Sequence, residues 1–170
     1  MTDPLTAAST GALTMVPPGV VLLAVAVLIA LLPRKAGHAL GVGASAVTLA
    51  WMWLVPSGAH LGTEFLGFST VLFNVDDFSR LMGLIFAVTG VVAVLYSYAS
   101  EADGVQTAFA YSYLASSFGA VFAGDWLTLI FFWELMAVTS TLLVWYYRGK
   151  AVRAGYRYAI FHGIGGTLLM

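Results

Sequence analysis

Six apolar stretches, separated by short polar breaks, dominate this sequence and restrict what it can fold into. A helix rises about 1.5 Å per residue and the hydrocarbon core of a bilayer is about 30 Å thick, so a crossing takes about 20 mostly apolar residues. The first stretch runs from Met15 to Leu32, with Pro17 and Pro18 near its start, where a missing N–H costs little. "PRKAGH" closes it. The second runs from Ala39 to Val55 and is stopped by Pro56. The polar segment "SGAHLGTEFLGFSTVLFNVDD" follows, and its aromatic and β-branched residues predict a short hairpin. The third stretch is Phe78 to Tyr98, with Asp76 or Asp77 as N-cap. "ASEADGVQ" reads as a loop before the fourth, Thr107 to Ala123. Gly124 and Asp125 form a tight turn, with Asp125 capping the fifth, Trp126 to Tyr147. After "RGKAVRAG" a sixth stretch starts near Gly155 and reaches Met170, so it reads as a helix cut short.

The expected fold is therefore an all-α polytopic membrane protein of about six transmembrane helices, with residues 1–14 as a tail and 15–170 as the helical domain. Composition agrees. Apolar residues make up 61% and charged residues 9%, against about 45–50% and about 25% in soluble domains. A net charge of −1 gives no basic field for nucleic acid. The absence of cysteine excludes disulfides, thiolate metal sites and cysteine nucleophiles. The tail holds Asp3 but no lysine or arginine, which is the wrong flank for a cleavable signal peptide. Orientation follows from the basic residues. With the N-terminus outside, Arg34, Lys35, Arg148, Lys150, Arg153 and Arg157 fall inside and only Arg80 outside. The chain is expected in the cell membrane with its N-terminus out.

Within the fifth stretch, "GDWLTLIFFWELMAVTSTLLVWYY" places Glu134 eight residues after Trp126, about 12 Å along a helix. That is near the bilayer centre, where an unpaired ionised acid costs several kcal/mol and where acids are functional by default. Helical spacing puts Leu127, Ile130, Ala137 and Thr141 beside it, and assigns Leu129, Phe132, Met136 and Leu143 to lipid. The small Ala137 and Thr141 suit a helix–helix contact, so the acid is expected to face the bundle interior. The alternative is a protonated glutamate that only holds helices together. His162, one turn from Tyr158, reads either as a proton relay to Glu134 or as a packing histidine. Arg157 reads first as an arginine snorkelling to the inner headgroups. Asp76 and Asp77 read as caps rather than ion ligands. Gly37-x-x-x-Gly41 and "GIGG" permit close helix approach. Trp51, Trp53, Trp126, Tyr146 and Tyr147 suit interfacial belts. No span holds a lysine for a retinal Schiff base, and His38, His60 and His162 offer no evident axial pair for haem.

"NVDDFSRLMGLIFAVTGVVAVLYS", "GDWLTLIFFWELMAVTSTLLVW" and "AGYRYAIFHGIGGTLLM" together resemble one family, over Phe73 to Met170. It is the antiporter-like subunits of respiratory complex I, Mrp-type sodium/proton antiporters and membrane-bound hydrogenases. Val75, Asp76 and Ser79 match the family's "VDxxS". Gly124, Asp125, Leu127, Phe132, Trp133 and Glu134 match its "GD-L---FxWE". "FHGIGG" looks closer to the D-type Mrp and the hydrogenase branches than to the complex I branch. The resemblance implies the first part of an inverted-repeat bundle, within a multisubunit complex that moves protons and, in antiporters, sodium. It implies Glu134 as the proton carrier. The family's basic residue in the sixth helix, usually lysine, falls on Arg157. Arginine stays charged and is no reversible carrier, so its implied role is electrostatic. The family's seventh-helix lysine has no counterpart here: Lys35 and Lys150 are both in loops on this reading. No motif for NADH, flavin or quinone is recognisable, so no cofactor is expected and any enzymatic activity belongs to an assembled complex. The reading from another class is a structural or assembly component without transport activity of its own.

Overall fold

The structure is a computed structural model that describes residues 16–169; the expected tail, 1–14, lies outside the described residues. Six helices and one hairpin are present among them: α1 (Pro18–Leu31), α2 (Arg34–Leu54), β1 (Gly58–Phe65), β2 (Phe68–Val75), α3 (Asp77–Ala99), α4 (Gly104–Val121), α5 (Trp126–Tyr146) and α6 (Lys150–Leu169). Two of the helices, α3 and α5, are long and apolar enough to cross a membrane. α1 is apolar but has 14 residues, about 21 Å of rise, short of a bilayer core. The expectation of about six spans thus becomes six helices with two span-length apolar members.

Helix starts follow side-chain chemistry. Asp76 caps α3 through a reciprocal capping box: its carboxylate accepts from Ser79 N–H at 2.6 Å, and Ser79 Oγ accepts from Asp76 N–H at 2.8 Å. Asp103 accepts from Gln106 N–H and starts α4 three residues before the expected Thr107. Two polar breaks expected as loops are instead helical. In "PRKAGH", Pro33 sits at the N-cap and α2 begins at Arg34, five residues before Ala39. The Arg34 head is satisfied there, donating to Tyr98 O (2.6 Å) and Ala102 O (3.0 Å) at the end of α3. In "RGKAVRAG", the left-handed Arg148 and Gly149 make the turn, and α6 begins at Lys150 rather than near Gly155. Lys150, Arg153 and Arg157 are exposed, so a helical backbone costs their charges no desolvation.

The predicted hairpin is present. β1 and β2 pair antiparallel from Gly58↔Val75 to Phe65↔Phe68. Leu66 and Gly67, both with positive φ, form the two-residue turn. β2 packs inward through Phe73, whose ring lies 5.7 Å from Trp51 and 5.5 Å from Phe122. Backbone bonds then join β2 to the α4–α5 turn: Gly124 N–H donates to Val71 O (2.9 Å) and Asn74 N–H to Phe122 O (2.8 Å). Asp125 serves both sides of that turn. It accepts from Thr128 N–H and hydroxyl at the start of α5 and from Val71 N–H in β2 at 2.6 Å. Burial opposes ionisation of Asp125, but these bonds outweigh it and hold the carboxyl below its usual range. A depressed folded value contributes stability above the ordinary carboxylate range, and that contribution is lost as pH falls through the folded value. Asp125→Ala is expected to lower unfolding stability by about 2 kcal/mol at neutral pH and to flatten the acid limb of the stability profile. Denaturation in detergent from neutral to acid pH measures both. An acid limb as steep as the parent's would show that Asp125 does not set it.

α1, α2, α3 and α4 pack around one core, with α5 on α4 and α6 on α5. Glycines allow the close crossings. A Cβ at Gly37 would meet Ile29 O at 2.9 Å, and one at Gly41 the Ile29 and Val94 side chains, so the Gly37-x-x-x-Gly41 signal is a packing face. The core holds Leu22, Ile29, Met52, Phe73, Phe118 and Phe122.

Candidate functional site

Glu134 lies on α5, half-buried, where α6 crosses it. Its carboxylate is set against Gly166 of α6: a Cβ at 166 would overlap Oε1. The acid lines a groove of about 220 Å³ with Ala137, Thr141 and Trp145 of α5 and Ala159 and Gly163 of α6. Ala137 and Thr141 are buried as expected, Ile130 is half-buried, and Leu127 is exposed. The lipid-facing assignment needs correction at Phe132, which is 3% exposed. Its ring fills the space over Gly119 of α4, where any Cβ would overlap it. Leu129 and Met136 line a second groove, between α3, α4 and α5. In a helix this uniformly apolar, residue type carries little directional signal; the glycine on the facing helix decides which side chain turns inward.

His162 is half-buried on α6, with Nε2 2.9 Å from the Tyr158 hydroxyl. Tyr158 donates to Ser140 Oγ on α5 at 3.0 Å, and Ser140 donates to Met136 O at 2.6 Å. The histidine is therefore tied to α5 through two hydroxyls that end on a helix carbonyl rather than on Glu134. Arg157 is exposed, and falls in the third turn of α6 rather than the first, because that helix starts at Lys150. It is not among the residues lining the Glu134 groove. "GIGG" divides by position: Gly166 receives Glu134, while Gly163 and Gly165 meet nothing within 4 Å. Sequence reasoning missed Ser140, whose place one and a half turns after Glu134 gives no hint that it receives Tyr158.

At the end of the bundle that carries Arg34 and Lys150, α4 is joined to the end of α5. Tyr146 donates to Asp103, and Gln106 Nε2 donates to the Tyr147 hydroxyl at 2.6 Å. The Gln106 N–H and then the Tyr146 hydroxyl hold the Asp103 carboxyl below its usual range. Among the described residues, no group of three or more histidine, aspartate or glutamate side chains is placed to hold a metal ion.

No family model matches the chain. It is 35% identical over 102 residues to the A/B component of a probable K(+)/H(+) antiporter of Rhizobium meliloti, covering 56% of this chain and 10% of that protein. It is 27% identical over 127 residues to the chloroplastic NAD(P)H-quinone oxidoreductase subunit 5 of Cichorium intybus, covering 70% of this chain and 16% of that protein. The same protein of Phaseolus vulgaris is 28% identical over 127 residues, with the same coverage of 70% and 16%. The chain thus spans between 10% and 16% of the length of these relatives. These matches make it a relative of Mrp-type antiporter subunits and NAD(P)H-quinone oxidoreductase subunit 5, in agreement with the family that its Phe73–Met170 motifs resemble.

Proposed function

We propose that this chain is part of a proton-translocating, antiporter-like membrane subunit, and that Glu134 is its proton carrier. One observation carries the reading: a carboxylate midway along an apolar, span-length helix lines a groove, against a glycine of the next helix. A carrier must exist in both protonation states, and a groove beside the carboxylate lets a proton arrive at and leave one oxygen while the other stays against the helix. Ser140 and Tyr158 extend from the same α5–α6 pair to His162, which supports a relay role for that histidine. Arg157 acts from a distance, as a fixed positive charge. The cargo is protons, exchanged in an antiporter setting for sodium or another monovalent cation, and the partners are further membrane subunits of a multisubunit complex in the cell membrane. The test is pH-gradient formation in inverted vesicles by the assembled complex, with Glu134 and with Glu134→Gln. A normal gradient in the variant would remove the carboxylate from the mechanism.

All six helices cross the bilayer on this reading, as the first part of an inverted-repeat bundle, with the N-terminus outside. Arg34, at the start of α2, bonds the end of α3, and the start of α4 bonds the end of α5. Those contacts support a single basic, inner end. The hairpin and the α4–α5 turn meet at the opposite end. Cysteines at the exposed Ser57 and Lys150 are expected to react with an impermeant reagent from opposite sides. Gly149 is a poorer probe, because its φ of +54° would strain a cysteine. Labelling of Lys150→Cys from outside would reverse the orientation.

A further inference from the structure

A second buried titratable group lies in the bundle, on helices that do not touch the Glu134 groove. His38 on α2 is 2% exposed, and both ring nitrogens have partners. Nδ1 is 2.7 Å from Arg34 O, and Nε2 is 3.1 Å from Thr107 Oγ1 on α4. Thr107 Oγ1 also meets Ser97 Oγ of α3 at 2.6 Å and Asp103 O at 2.8 Å. A carbonyl only accepts, so Nδ1 must carry a proton, and Nε2 is the variable site.

We infer that His38, Thr107 and Ser97 form a reversible proton-binding site, separate from Glu134, at the basic end of the bundle. The hydrogen-bond arithmetic closes in both states. With the ring neutral, Thr107 donates to Nε2 and Ser97 donates to Thr107. Asp103 O keeps its bond from Thr107 N–H, at 3.1 Å. With the ring charged, Nε2–H donates to Thr107 Oγ1, and the Thr107 hydroxyl turns to Asp103 O. No heavy atom has to move, and no buried polar atom loses its partner, which is the condition for burying both states without a large penalty.

Access exists from two sides. His38 edges a groove of about 500 Å³ with Lys35, Leu95 and Tyr98. Ser97 and Thr107 edge the larger groove, of about 580 Å³, between α3, α4 and α5. Uptake balances as a hydroxyl relay. A water-borne proton reaches Ser97, Ser97 passes its own to Thr107, and Thr107 passes its own to Nε2, leaving two neutral hydroxyls and one imidazolium. Arg34 O is a dead end for the Nδ1 proton, so the site stores a proton and returns it by the same path. The groups facing it are few. On α2 they are Arg34, whose guanidinium lies 5.0 Å from the Tyr98 ring, and Lys35. On α3 there is Tyr98, whose ring is 5.6 Å from that of His38. On α4 there is Asp103, whose carboxylate is already engaged by Gln106 and Tyr146. α1 has no titratable side chain.

Histidine-selective 15N NMR of the full chain in lipid bilayers tests this, with His38 assigned by its loss in His38→Gln. The neutral ring is expected in the Nδ1–H form, with Nε2 bare and hydrogen-bonded. On lowering the pH from about 8 to about 5, both nitrogens should become protonated while the helical signal stays constant. Thr107→Ser should keep this behaviour. Thr107→Val should abolish proton uptake at the pH that charges the parent ring, and Glu134→Gln should leave it unchanged. A neutral ring protonated on Nε2, a ring neutral at every pH in that interval, or a Thr107→Val variant that titrates like the parent would each overturn the inference. Should Thr107→Val fail to fold, Thr107→Ser and the tautomer of the parent decide it.

Discussion

Glu134→Gln is expected to reduce pH-gradient formation to background while the assembled complex, quantified on native gels, stays near the parent level. Glutamine matches glutamate in shape and fits the same space against Gly166, so packing between α5 and α6 is preserved and only ionisation is lost. Glu134→Asp keeps the acid but withdraws it from Gly166 by one methylene, and partial transport is expected to survive. A glutamate that merely held helices together would give the opposite ranking: glutamine tolerated, and aspartate loosening the contact. Gly166→Ala probes the same spot from α6. Its Cβ meets the far end of a flexible side chain, so the carboxylate swings aside at small cost in stability, and transport rather than assembly is expected to fall. Equal transport in the glutamate and glutamine forms would leave Glu134 as a packing residue.

Gly119→Val is expected to be the most damaging single change to stability. Any Cβ at 119 overlaps the Phe132 ring, and the ring, at 3% exposure, has no open side to move towards. On the other flank α1 closes in: a Cβ at Gly19 would lie 2.8 Å from Gly119 N, so α1, α4 and α5 meet here. Overpacking of this kind costs about 1–3 kcal/mol for added methylenes, and the branched side chain puts Gly119→Val at about 3 kcal/mol. Gly119→Ala sits lower in the same range. Adding Phe132→Ala to Gly119→Ala opens room for the new methyl, so the double variant should lose less than the two singles combined. Thermal unfolding in detergent reads all four. Strict additivity would mean that the α4–α5 contact does not run through this pair.

Much of this is legible in the sequence where one residue does one local job. Asp76 and Asp125 are identifiable as caps because a short carboxylate before an apolar run has few other uses, and both cap. The hairpin is legible from β-branched and aromatic content between polar breaks, and the Gly37/Gly41 face from spacing alone. Errors arise where charge is taken to mean loop. Arg34, Lys150 and Arg153 are helical because their heads reach solvent or a carbonyl of another helix, a fact of tertiary placement. Glu134 stands out because a carboxylate in apolar surroundings is costly, but its neighbour Gly166 does not, since several glycines cluster in that stretch and only the fold selects one. The error at Phe132 has the same origin. The His38 cluster is invisible in the sequence because α2, α3 and α4 each supply one ordinary-looking residue. The "FHGIGG" ending points to the D-type Mrp and hydrogenase branches, whereas the relatives above are an A/B antiporter component and an oxidoreductase subunit 5; a six-residue motif does not separate branches.

The unequal anchoring of the last three helices has a mechanical consequence. α4 and α5 are fastened to each other at both ends, by the hairpin and Asp125 at one and by Asp103, Tyr146, Gln106 and Tyr147 at the other. α6 leans on α5 and begins at the left-handed pair Arg148 and Gly149. The pair α4–α5 is thus a post, and α6 an arm pivoting at its foot. Gly166 is sixteen residues along that arm from Lys150, so its lever length is about 24 Å. A tilt of about 10° would carry Gly166 about 4 Å from the Glu134 carboxylate, while Gly155, near the pivot, would shift by only about 1 Å. The acid stands opposite the long end of the arm, where a small angle gives the widest gap.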